Sequence, residues 1–382
     1  MAITDVNPFV YSRPIPPDEV IDRDDETAAL LQAVVGGHYV RLYAPRKYGK
    51  TSLLRRVLRE AERSEGMTTV LVDLYGVLSL ADVAVRIERA YAAQLKGGLR
   101  ARIDEFLQRT GLGLSLSALG IGVRLQIDPR TDPLPALHAL LDLPLKLEQE
   151  GGYRALVVFD EFQDITKLPG IDAIVRSHIQ HQGEVASYVF AGSEQGLMKQ
   201  LFEEKERPLY GQAVPVRLGR LPSSDIAAYI VDRFKQTGRS AGEAVNPLVQ
   251  TAAGHPQRAM LLAYRLWDVV EPRATATLAD WEEALSTTMV ELRPEFEAHW
   301  QRFTQVEQKS LRAIVEGQGA TLRTHVLARL DADKSSVSRA LKRLESAGEV
   351  EVIDGRTVLV DPLFALWLER LSSGVAGAGA EE

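Results

Sequence analysis

The stretch RLYAPRKYGKTSLLRRV (residues 41–57) contains the run Ala44-Pro45-Arg46-Lys47-Tyr48-Gly49-Lys50-Thr51. It fits the pattern G-x-x-x-x-G-K-[ST] at every position but the first, where alanine stands for glycine. A loop of this kind grips phosphate because successive backbone N–H groups point inward and the next helix adds its dipole. Lys50 would then reach the β- and γ-phosphates, and the Thr51 hydroxyl would hold Mg²⁺. The first glycine usually serves the tight turn leaving a strand. Here Pro45 already confines residue 44 to extended backbone, which alanine adopts without strain. Gly49, where backbone and phosphate approach closest, is kept. Residues 44–52, from Ala44 to Ser52, are therefore the candidate nucleotide-binding stretch.

The surroundings suit the loop. "HYVRLYA" before it reads as a strand and "TSLLRRVLREAERSEG" after it as a helix. From about residue 27 to 222, apolar strands alternate with helices: "MTTVLVDLYG", "YRALVVFDEF" and "ASYVFAGS" are the clearest strands. Near-continuous apolar strands separated by helices predict a parallel sheet covered on both faces. "LGLSLSALGIGVRLQI" breaks the alternation. Its period of two on both sides of a glycine predicts an inserted β-hairpin over 112–127, for which a partner-binding role and a plain structural elaboration both fit.

Two further strand ends carry polar chemistry. "ALVVFDEFQDI" ends in Asp160-Glu161, at the sheet edge where open α/β folds bind ligands. Asp160 would hold Mg²⁺ through water, and Glu161 would orient and polarise an attacking water. "ASYVFAGSEQ" ends in Ser193, placed to hydrogen-bond the γ-phosphate or that water.

With 382 residues the chain has room for two or three cores. The absence of cysteine excludes disulfides, thiolate metal sites and cysteine nucleophiles. His178 and His181 stand three apart on an expected helix, as a solvated face. The proline-rich opening reads as an extended strap over 1–26 with no export signal, so a cytoplasmic protein without a membrane partner is expected. A net charge of −7 argues against a surface that coats nucleic acid generally.

After Pro222 the pattern turns helical, with Ser223-Ser224 as the expected N-cap of the first helix. Helices over 223–305 form a lid. Over 306–372, three short helices and the strands "EVEVID" and "RTVLVD", joined at a D-G turn, describe a winged helix; 373–382 reads as a flexible tail. Lys334, Arg339, Lys342 and Arg343 sit on or beside its third helix, with Ser335, Ser336 and Ser338 near that helix's start. This pattern suits double-stranded DNA. Asp331, Asp333, Glu345, Glu349, Glu351 and Asp354 offset those charges, and a protein-docking module remains the alternative.

The ordered set "YAPRKYGKTSLL", "VVFDEFQDI", "VFAGSEQGLM", "RPLYGQAVPVRLGRL" and "GHPQRAML" resembles the archaeal-type ATPase group, between the AAA+ ATPases and the STAND signalling NTPases. The resemblance spans roughly residues 7–275. It implies an α/β P-loop AAA+-like parallel-sheet core with a helical lid and a C-terminal winged helix, binding ATP and Mg²⁺ and hydrolysing ATP to ADP. By the same resemblance Val20, Ile21 and Arg23 would lie near the adenine, Ser193 matches a sensor position, and Arg258 matches a lid residue that contacts phosphate. Pro256 matches the G-x-P element of the STAND relatives. An arginine finger, in a homo-oligomer, would be Arg207 or, second, Arg220.

Overall fold

The computed structural model describes residues 6–112, 114, 116 and 132–372. They form two compact units. One comprises Pro16–Ala44 and Lys50–Leu218; the other gathers the N-terminal stretch to Ile15, Pro45–Gly49 and the chain from Gly219 onward.

In the first unit, helix α1 (Asp24–Val35) leads to β1 (Val40–Tyr43), α2 (Lys50–Glu65), β2 (Thr68–Asp73), α3 (Leu80–Gln94) and α4 (Gly97–Arg109). Then follow α5 (Leu134–Leu141), α6 (Leu143–Gly151), β3 (Ala155–Asp160), α7 (Ile171–Ile179), β4 (Ala186–Gly192), α8 (Gln195–Glu203) and β5 (Val214–Arg217). The five strands form one parallel sheet in the order β2-β3-β4-β1-β5. Every residue of β3 and β4 is buried, which is why both read as unbroken apolar runs. The register sets Asp73 beside Asp160, and Tyr43 beside both Gly192 and Arg217. The carboxyl ends of all five strands thus line one edge. Aromatic rings hold the centre: Phe190 packs on Phe162 at 4.6 Å and on Phe202 at 5.3 Å.

Three expectations need correction in this unit. The strap is not wholly extended: Pro17–Glu19 forms a short 3₁₀ turn, and α1 starts at Asp24, inside the stretch read as strap, its first turn rich in acids that favour a helix start. His178 and His181 do not share a helix, because α7 ends at Ile179. Nor is His178 a solvated side chain, since its Nδ1 lies 2.6 Å from Asp142 Oδ1 and its Nε2 2.7 Å from His138 Nδ1. Most of the expected 112–127 hairpin falls outside the described residues. Leu114 and Leu116 are buried, and Leu116 donates its N–H to Asp104.

In the second unit α9 (Ser223–Gln236), α10 (Val245–Ala252), α11 (Pro256–Val269) and α12 (Leu278–Trp300) are followed by α13 (Gln305–Glu316), α14 (Thr324–Arg329) and α15 (Lys334–Ser346). Strands β6 (Val350–Ile353) and β7 (Arg356–Leu359) pair antiparallel, and α16 (Pro362–Ser372) completes the unit. Asp354 and Gly355, at φ 49° and 75°, are the two positive-φ residues that a tight hairpin turn requires. Reciprocal capping boxes start α12 (Thr277 with Asp280) and α13 (Thr304 with Glu307). The expected serine cap of α9 is absent: Pro222 holds the cap position, Ser223 is already helical, and Ser224 turns to Asp225. Gly254 sits at φ 77° with no room for a Cβ, which would lie 2.7 Å from the Leu221 carbonyl oxygen. Its own carbonyl accepts the Leu221 N–H at 2.8 Å.

Candidate functional site

At the carboxyl edge of the sheet, Lys50, the first residue of α2, meets Asp160, which ends β3, and Glu161, which follows it. Its Nζ donates to Asp160 and, at 2.7 Å, to Glu161 Oε1. Thr51 Oγ1 donates to the other Asp160 oxygen at 3.1 Å. β4 runs between β1 and β3 in the sheet, so Ser193, just past its end, arrives beside the same group. Ser193 Oγ donates to Glu161 Oε2 at 2.7 Å. The structure thus brings together Lys50, Thr51, Asp160, Glu161 and Ser193.

A sixth member is Gln163, fully buried on the turn after β3. Its amide donates to Glu161 Oε2 at 2.6 Å, and its Oε1 accepts the Ser193 N–H at 3.3 Å. Gln163 lies in the quoted "DEFQDI", and a glutamine inside an apolar turn is the signal that would have marked it. Glu161 itself has left-handed backbone, φ 51° and ψ 41°, a conformation that non-glycine residues adopt at a cost. Burial works to raise its pKa, but the Lys50 charge and the bonds from Lys50, Gln163 and Ser193 outweigh it and hold the carboxyl below its ordinary value. The site therefore fixes an ionised carboxylate beside a lysine, next to a hydroxyl–carboxylate pair of the hard oxygen type that Mg²⁺ takes.

Ala44 is buried with ordinary backbone, and its N–H bonds the Gly192 carbonyl oxygen at 3.2 Å. Ser52 is buried in the first turn of α2. Val20 and Ile21 are half-buried, and Arg23 is buried with its guanidinium 2.6 Å from Glu26. Arg207 is partly exposed after α8, paired with Asp172 at 3.3 Å.

The second unit carries a separate group. Within Pro45–Gly49, Lys47 and Gly49 take φ 67° and 83°. A Cβ on Gly49 would meet nothing within 4 Å, so conformation and not space requires the glycine. Arg46 and Lys47 are exposed, and Lys47 faces Glu295 at 3.4 Å. Tyr48 is buried. Its hydroxyl donates to Glu351 Oε1 at 2.7 Å, and its ring meets the His255 ring edge-on at 4.9 Å. The same Glu351 oxygen accepts Arg220 Nε at 2.8 Å, and Arg220 also donates to the carbonyls of Ala253 and Leu359.

Arg258, buried on α11, spans both oxygens of Asp361, its Nε 3.0 Å from each. Burial and then, more weakly, the neighbouring Arg258, Arg220 and Lys47 charges push His255 down to about 3, against the pull of Asp361. His255 is therefore neutral near pH 7, and its Nδ1 accepts the Arg258 N–H at 3.3 Å, capping α11.

On α15, Lys334, Arg339, Lys342 and Arg343 are exposed, with Arg343 3.4 Å from Glu307. Asp333 caps the helix, and hydrogen bonds from Ser335 and Ser336 hold its carboxyl down at about 2. Among the described residues, no helix is long and apolar enough to cross a membrane.

No protein-family model and no curated protein matches the chain by sequence. Solved structures do match. The Walker-type ATPase of Pyrococcus abyssi gives a TM-score of 0.68 at 18% identity, with 94% of this chain and 98% of that one covered. The ORC2 protein of Aeropyrum pernix, in ADPNP–ADP complexes, gives 0.58 at 16% identity, with 96% and 97% covered. At such identities the likeness is one of fold. The chain shares the fold of these two structures, here a five-stranded parallel sheet with a helical majority.

Proposed function

We propose that the protein is an ATPase in which residues 44–52 bind ATP·Mg²⁺ and the nucleotide state controls a C-terminal winged helix. The observation that carries this reading is the convergence of Lys50, Thr51, Asp160, Glu161 and Ser193 at the carboxyl edge of the sheet. The left-handed Lys47 and Gly49 suit a loop that turns its N–H groups inward onto phosphate.

In this reading Lys50 would release its carboxylates to take the β- and γ-phosphates, and Thr51, with Asp160 through a water, would hold Mg²⁺, which would supply charge neutralisation to the phosphates. Glu161, kept ionised, accepts a hydrogen bond from the attacking water and aligns it. Ser193 and Gln163 keep that carboxylate aimed. Arg258 supplies a lid contact to phosphate, and Val20, Ile21 and Arg23 contribute to the adenine side. Arg207 is the candidate finger in a homo-oligomer, being partly exposed, whereas Arg220 is engaged with Glu351 and backbone carbonyls.

For the winged helix, the exposed Lys334, Arg339, Lys342 and Arg343 favour double-stranded DNA. The fixed negative charge of Asp333 at the start of that helix favours the second reading, a module that docks a protein partner. ATP hydrolysis by the wild type and its loss in Lys50→Ala test the enzyme. Affinity for a labelled duplex across a salt titration, with and without ATP, tests the target. Binding that is steep in salt and nucleotide-dependent is expected, and absence of duplex binding at low salt in both states would leave the protein-docking reading.

A further inference from the structure

We infer that Glu351 and Asp361 form an acidic latch on the nucleotide site, which ATP must displace to bind. The inference rests on the reading that residues 44–52 and Arg258 take phosphate.

These two carboxylates sit at either end of one small element. Glu351 is on β6, and Asp361 follows β7. Between them they hold three of the groups that a polyphosphate would engage or pass. Glu351 takes the hydroxyl of Tyr48, inside the phosphate loop, together with Arg220. Asp361 takes Arg258 through Nε and Nη2, a charge-assisted fork that matches the way a guanidinium holds phosphate. Both acids are the chain's own stand-ins for an anion.

The neighbourhood is tuned for the exchange. His255, which touches Tyr48 and caps the helix of Arg258, is neutral and adds no charge to the pairs Arg220–Glu351 and Arg258–Asp361. Phosphate competes for the same cations, and withdrawal of a single hairpin frees Tyr48, Arg220 and Arg258 together. A pair of static salt bridges would have no such coupling to nucleotide.

The test uses the full-length chain as wild type, Glu351→Gln, Tyr48→Phe, Asp361→Asn and Lys50→Ala. Affinity for a fluorescent ATP analogue with Mg²⁺ is measured in each, with hydrogen exchange of residues 350–361 before and after ATP. The latch predicts that ATP speeds exchange over 350–361 in the wild type. It predicts that Glu351→Gln binds about tenfold tighter with this segment already fast, the scale of one lost charged hydrogen bond. Tyr48→Phe should move both readouts the same way by less, and it decides the matter if Asp361→Asn does not fold. Wild-type binding with unchanged or weaker binding in Glu351→Gln and Tyr48→Phe would overturn the latch and leave the nucleotide reading standing. Failure of every form to bind ATP, with wild type and Lys50→Ala alike, would overturn the nucleotide reading and the latch with it.

Discussion

Lys50 and Arg258 are both buried cations expected to meet phosphate, and each is neutralised by carboxylates of its own chain. The partners differ in origin. Those of Lys50 stand at the carboxyl end of β3, two strands away from the β1 that precedes the loop, and belong to the reacting group proposed above. The partner of Arg258 follows a hairpin near the other end of the chain and has no part in the chemistry proposed for the strand ends. One pairing gathers the strand-end group, while the other, on the latch proposed above, withholds Arg258 from phosphate. Mutations at the two places should therefore separate activity from stability and restraint.

The sharpest contrast comes from Glu161→Gln. It should lower the hydrolytic rate by roughly 10²–10⁴-fold, as loss of a positioned base does, while ATP affinity is kept. Equal loss of binding and rate in a steady-state and equilibrium comparison would give Glu161 a structural role and erase the distinction. On the other side, Arg258→Ala leaves Asp361 without its buried partner. It should destabilise the fold by about 3 kcal/mol in urea unfolding, at the low end for such pairs because Asp361 keeps some exposure.

Acid should find the second unit first. Folded His255 titrates at about 3 against 6.5 for the free side chain, so below about pH 6.5 the unfolded chain binds the extra proton. Stability then falls as pH drops from about 6.5 toward 3, by up to roughly 1.4 kcal/mol per pH unit. Asp361 acts in the same sense: burial alone would raise its pKa, but Arg258 holds it low, so its contribution is lost as pH falls through that lowered value. Urea midpoints at pH 8, 6 and 5 measure the slope, and His255→Gln should flatten it. Least affected should be Ala44→Gly. The alanine has ordinary backbone, so ATP affinity should stay within about twofold, and a larger gain would mean that the missing glycine does matter.

Legibility in the sequence followed the same divide. β3 and β4 announced themselves as apolar runs, and Lys50, Thr51, Asp160, Glu161 and Ser193 were readable because each sits at the end or start of a regular element. Gln163 was fainter, a lone glutamine among apolar neighbours, since its contact depends on a 3₁₀ turn that returns it to Glu161. Glu351 looked like one of several acids offsetting the charge of α15, because its bond to Tyr48 closes across 303 positions of chain. The serine cap of α9 failed for a local reason: Pro222 already has the extended backbone that a cap needs, and the helix begins one residue sooner than the serines suggest. His178 misled because helical spacing says nothing of what packs above it, here Asp142 and His138.

The strand order also sets a timetable for synthesis. β1 pairs with β4 and β5, so one edge of it can pair once Gly192 has left the ribosome but the other waits for Val214–Arg217. By then every strand of the sheet exists, and Lys50, Asp160 and Ser193 are all present. Glu351 and Asp361 follow only after translation of the whole helical segment, roughly 7–29 s later at about 5–20 residues per second. For that interval the nascent chain carries a complete phosphate loop without either acid. On the proposed reading, a nucleotide bound then would be in place before either of these two acids could compete with it.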